Sequence, residues 1–194
     1  MAFYKHKVFW AVASAIVLLA ALIYGAQIFW LIKYGSSSQP IPSTILDVDK
    51  HFNHFPSNFP PDPGDAGRQT IEGIDADHDG VRDDVQRWIY AYVPNEPPKQ
   101  MALRQMARVY QQYDLAEDFT PNLIAQAMEP LDRAVQCLHK SFDGRNGYFE
   151  EIYLRAKVLN TFSRVKRFWD NNAKVTTKEM SGAYLQYESP CDNR

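Results

Sequence analysis

The sequence predicts an all-α chain in three parts: a single N-terminal transmembrane helix (8–33), a linker and proline-rich loop (34–70), and a domain of about four helices (71–194). Three observations predict it. The 25 residues from Val8 to Ile32 carry no formal charge. Beyond position 80, apolar residues recur at three- and four-residue steps, the signature of amphipathic helices. No segment shows the clear two-residue alternation of a half-buried strand.

As a helix, the uncharged run rises about 37 Å at 1.5 Å per residue. That spans a hydrocarbon core of about 30 Å with some tilt. Phe9 and Trp10 mark one interface, and Phe29, Trp30 and Tyr34 the other. A cleavable signal peptide is the rival reading. The apolar run continues through Ile28-Phe29-Trp30-Leu31-Ile32, past the length of a signal-peptide core, and no A-x-A site follows. The expectation is an uncleaved anchor. Lys5 and Lys7 precede the span and Lys33 alone follows closely, so the positive-inside bias puts residues 1–7 in the cytoplasm and the domain outside.

Net charge is −2, but three of the 21 basic residues flank the anchor and all 23 acids lie beyond it. The domain side is therefore net acidic, which argues against a nucleic-acid-binding surface.

After the anchor, Gly35 to Pro42 reads as a flexible-to-extended linker. Ile45 to Phe55 could form a short helix with Ile45, Val48 and Phe52 on one side. Four prolines make Pro56 to Gly67 a loop, draped over the domain with Phe55 and Phe59 as anchors. The first long helix runs from Asp83 to Tyr92, with two acids in its first turn and Val85, Trp88, Ile89 and Tyr92 on its apolar face. Pro94 to Pro98 stops it. A second, Lys99 to Asp114, carries Leu103, Met106, Ala107, Tyr110 and Tyr113. Thr120-Pro121 is an N-cap and first-turn pair opening a third helix through Leu138, with a kink expected from Pro130 near Gln126. The fourth, Tyr148 to Asn171, has the most regular stripe: Phe149, Ile152, Ala156, Leu159, Phe162, Val165 and Trp169, expected to face the core. Arg164 to Arg167 reads as a solvated basic cluster, and Thr176 to Glu179 as one more short turn.

The chemistry concentrates in Asp75-Ala76-Asp77-His78-Asp79-Gly80-Val81-Arg82-Asp83-Asp84. Five Asp within ten residues repel one another without a counter-charge. Alternating Asp side chains on a tightly wound loop can converge on one point, and Gly80 lets the backbone turn sharply beneath them. A hard cation such as Ca²⁺ wants six to eight such oxygens at about 2.3–2.6 Å. The plain alternative is an acidic turn that caps the helix.

These residues resemble the D-x-D-x-D-G calcium loops of EF-hands, dockerins and thrombospondin type 3 repeats. The resemblance implies a loop over 75–86. In it Asp75, Asp77 and Asp79 are side-chain ligands, Val81 gives its backbone carbonyl, and Asp83 binds directly or through water. The twelfth position, where an EF-hand has a bidentate Glu, is Gln86, which offers one amide oxygen; whether Gln86 or Asp84 completes the shell stays open. Arg82 stands where paired EF-hands carry an aliphatic residue, and the Pro/Gly-rich approach leaves no room for an incoming helix. The stretch GIDADHDGVRDDVQR is also similar to a loop of exported bacterial proteins without a settled function.

Cys137 and Cys191 are the only cysteines. On the oxidising side of a membrane this even pair predicts a disulfide tying the C-terminal tail to the third helix. Catalytic motifs are absent: no Gly-rich phosphate loop, no H-E-x-x-H, no G-x-S-x-G. The expectation is a non-enzymatic, single-pass protein of the bacterial inner membrane, with a periplasmic or extracellular helical domain. One structural Ca²⁺ and a partner among envelope proteins or surface ligands complete it. A metal-dependent or hydrolytic enzyme of unrecognised type is the alternative.

Overall fold

A computed structural model describes residues 42–143, 145–175 and 185–192. The expected anchor and the turn at Thr176 to Glu179 lie outside the described residues. Among those residues no helix is long and apolar enough to cross a membrane.

The fold is all-α. Its elements are α1 (Ser43–Leu46), α2 (Val48–His51), a 3₁₀ turn (Ala66–Arg68), α3 (Asp83–Tyr92), α4 (Pro97–Val109), a π turn (Tyr110–Asp114), α5 (Pro121–Ser141), α6 (Arg145–Val158) and α7 (Phe162–Asn172). α4 packs chiefly on α5, α5 on α6, and α3 lies against α2, α4 and α6. The shared core holds Val85, Trp88 and Ile89 of α3, Leu103 and Met106 of α4, Leu138 of α5, and Leu154 and Val158 of α6.

α3 has the expected bounds and apolar face. Trp88 is fully buried, stacks on Tyr92 at 4.7 Å and donates its indole N–H to the Ile45 carbonyl at 2.7 Å. This last bond pins α1 onto the core. The stretch expected as one helix from Ile45 to Phe55 is instead two single turns divided at Asp47. Phe55 and Phe59 of the proline-rich loop stack at 5.3 Å and both pack on Tyr90, while Arg87 lies over Phe55 and donates to the Pro60 carbonyl.

α4 begins on Pro97 rather than Lys99. A proline in the first turn lacks only an N–H that has no helical partner there, so the residues read as a stop serve as a start. Thr120 caps α5 through its hydroxyl, which accepts from the Leu123 N–H at 3.3 Å. α5 runs unbroken through Pro130, whose missing N–H removes one backbone bond to Gln126.

The fourth predicted helix needs two corrections. It is two helices, because Thr161 adopts extended geometry and caps α7 by accepting from the Arg164 N–H. Asn160 is drawn sideways, donating to Asp84 at 2.7 Å and accepting from Arg164 at 2.6 Å. Most of the stripe is also not core: Phe149 is 50%, Phe162 84% and Trp169 61% exposed, whereas Leu159 packs on the core and Leu154 and Val158 are fully buried. Arg164, expected in solvent, is fully buried as well. Its guanidinium donates to the carbonyls of Gly67, Thr70 and Ile71 at 2.7–2.9 Å, satisfying a loop that has no regular structure to do so. Burial, reinforced by repulsion from Arg82, pulls its pKa down to about 10.

Cys137 and Cys191 are bonded, with Cα atoms 4.8 Å apart. The tail lies on α5 and α4: Gln136 donates to Leu185 and accepts from the Tyr187 N–H, and Gln105 donates to Pro190 and accepts from Asp192. A link spanning 54 residues contributes at most about 4 kcal/mol in the chain-entropy model.

Candidate metal site

The loop before α3 is wound by its own aspartates. Asp75 accepts from the backbone N–H groups of Asp79 at 3.2 Å and Gly80 at 3.0 Å. Asp79 accepts from the Val81 N–H at 2.7 Å, and the Asp83 N–H closes the loop on the Ile74 carbonyl at 2.8 Å. Two residues take positive φ, His78 at 58° and Gly80 at 85°. The φ at position 80 favours glycine, and a Cβ there would also sit 3.1 Å from the Arg108 side chain, which would have to give way slightly.

This winding brings carboxylate oxygens of Asp75, Asp77 and Asp83 within 4.8 Å of one another, a group that could hold a metal ion. Asp83 is fully buried. One of its oxygens accepts from the Ala76 N–H at 2.9 Å; the other, Oδ2, has no hydrogen-bond partner. Burial raises the Asp83 pKa, and repulsion from Asp77, Asp75 and Asp84 adds to the rise against the Ala76 bond. Gln86, 4% exposed, donates its amide N–H to Asp77 at 3.0 Å, and its Oε1 is buried without a partner. A buried acceptor without a donor is costly, by about 1–3 kcal/mol. Here two stand on adjacent turns of one short helix.

Two other sequence candidates, Asp79 and Asp84, are engaged by other partners. Asp79 forms an ion pair with Arg104 of α4 and lies outside the three-carboxylate group. Val81 is fully buried. Asp84 does not face the loop: it takes two bonds from Arg82, at 2.8 and 3.0 Å, and one from Asn160. Burial pushes its pKa up, but the Arg82 bonds outweigh this and lower it overall. Of the two residues left open for the last position, Gln86 is hydrogen-bonded to Asp77, whereas Asp84 is bonded to Arg82 and Asn160.

Three residues that matter escaped sequence reasoning. Arg104 reaches Asp79 from 25 positions away. Gln111, in the π turn, donates to the Gly80 carbonyl at 2.8 Å and accepts from the Arg82 N–H at 3.2 Å, clamping the loop to the end of α4. Asn160 anchors Asp84 from the α6–α7 break. Only Asn160 left a local signal, an Asn-Thr pair suited to a helix start.

No family model matches the chain, and no solved structure matches its fold.

Proposed function

We propose that the 75–86 loop holds a structural Ca²⁺ ion, in a membrane-anchored bacterial envelope protein whose helical domain binds a partner. The observation that carries the metal reading is the buried, partnerless Asp83 Oδ2 within the group of Asp75, Asp77 and Asp83 carboxylates. A second partnerless oxygen, Gln86 Oε1, is on the side chain that donates to Asp77. All these donors are oxygen, the set a hard cation takes. The His78 ring nitrogen Nδ1 is engaged with the Asp75 carbonyl at 2.8 Å. Backbone-determined loop geometry with several acids suits the larger, more adaptable Ca²⁺ better than Mg²⁺, which keeps most of its water. The ion would neutralise the acidic cluster and fix the start of α3. Support for a binding role comes from the exposed aromatic face of α6 and α7.

Calorimetry on the full chain tests the metal reading. With an amide at the twelfth position, dissociation constants on the order of 10⁻⁴–10⁻³ M are expected for calcium, with much weaker heats from magnesium. Asp77→Ala and Asp83→Ala should abolish the signal. No calcium heat up to several times that range, or binding retained in both variants, would leave an acidic turn only. The envelope assignment is tested by a reporter enzyme active only outside the cytoplasm, fused after Arg194; activity from a cytoplasmic reporter alone would overturn it.

A further inference from the structure

Among the described residues, most of the apolar stripe along α6 and α7 lacks an internal partner, although Leu159 packs on the core. Between the helices runs a groove of about 600 Å³ lined mainly by Ile152, Ala156, Leu159, Val165, Phe168 and Trp169, with the paired charges Glu151 and Arg155 on its wall. Around it Tyr148 is 59%, Phe149 50%, Phe162 84% and Trp169 61% exposed. An aromatic side chain carries about 150–250 Å² of surface, so these four alone leave roughly 500 Å² of ring in water. That is at the upper end of the apolar patches seen on monomers.

We propose that this face pairs with the same face of a second copy of the chain, an inference that rests on the partner-binding reading of α6 and α7 and is independent of the metal loop. Three features select that occupant. Size is the first: two such faces bury about 1,000 Å² together, the threshold for a specific interface, before the groove walls are counted. Shape is the second. Projecting rings and an open apolar groove occur on one patch, as a two-fold contact requires, since each copy must supply both knob and hole. Charge is the third. The charges at this face are neutralised within the chain, Lys166 by Asp170 at 2.6 Å and, on the groove wall, Arg155 by Glu151 at 3.2 Å. These pairs neither repel an identical face nor draw an anionic lipid surface.

Sedimentation equilibrium of the full chain tests this, with surfactant only as needed to keep it in solution. A monomer–dimer equilibrium is expected. Phe162→Ser combined with Trp169→Ser should weaken it about thirtyfold, as for loss of interface hot spots. Gln126→Ser, at an exposed position on α5, should leave it unchanged. Both altered aromatics are mostly exposed, so at concentrations where the wild type is monomeric the melting temperature should hold, which separates lost pairing from lost folding. A monomer at every concentration overturns the proposal, as does a dimer that the double variant leaves intact.

Discussion

Arg104 of α4 holds the carboxylate of Asp79 away from the cluster formed by Asp75, Asp77 and Asp83. The same guanidinium lies in the field of Asp77 and Asp75; burial lowers its pKa, and these two acids oppose the shift. Arg104 thus serves as a tethered counter-ion to the loop. A divalent ion recruiting Asp79 must break this pair. Arg104→Gln is therefore predicted to raise calcium affinity about tenfold, or about 1.4 kcal/mol, while lowering stability without calcium. Calorimetry beside thermal melts reads both effects. Weaker calcium binding in the variant would mean that Arg104 braces the loaded loop instead.

Gln86→Glu places a fourth carboxyl where Oε1 now lies unpartnered, and removes the amide N–H that Asp77 accepts. Without calcium the variant should be destabilised by about 1–3 kcal/mol through desolvation and repulsion. With saturating calcium it should melt above the wild type. A Glu variant that binds calcium no better than the wild type would show that this side chain does not reach the ion.

Arg164→Met should be among the most damaging substitutions outside the apolar core. It removes donors from the Gly67, Thr70 and Ile71 carbonyls and from Asn160, and leaves the first three without partners. A loss of about 3–5 kcal/mol is expected, measured by chemical denaturation. Arg164→Lys should recover little, since one ammonium cannot reproduce the planar fork. A loss under about 1 kcal/mol for Met would mean that water replaces the guanidinium.

Asp114, at the end of the π turn, has its pKa raised to about 6 by burial, with Glu151 adding to the rise and Arg155 opposing it. A carboxyl raised above its unfolded value of 3.8 favours the folded state most below that value, and the benefit is lost as pH climbs through about 6. Asp114→Asn should therefore flatten the stability profile between these limits and stabilise the protein above them by about 1–2 kcal/mol. Denaturation midpoints across that range check the sign; a stability that rises with pH in the wild type and not in Asp114→Asn would reverse the assignment.

Local chemistry was legible in the sequence, and long-range partnership was not. Asp83 and Asp84 in a first turn, with Pro94 beyond Tyr92, gave α3 its bounds. The aspartate spacing located the loop, because its turns are made by bonds between residues two to five apart. The stripe from Phe149 to Trp169 located an apolar face correctly but not what covers it. Periodicity reports a side's polarity, and Leu154 and Val158 on the other side met the core. Arg164 read as solvated because nothing local reveals that Gly67, Thr70 and Ile71 will present carbonyls to it.

The adjacent residues Asp83 and Asp84 face different ways, one to the acidic loop and the other to Arg82 and Asn160. Each helical residue turns the chain by about 100°. An inserted residue between them would rotate one set of partners out of reach of the other, whichever half kept its place. A deletion of either would have the same effect. Point substitutions can disrupt the acidic loop and the Asn160 anchor separately, but a change in chain length here strikes both. This junction should tolerate substitution while rejecting insertions and deletions. The proline-rich loop at Pro61 to Asp65, exposed over most of its length, should accept them.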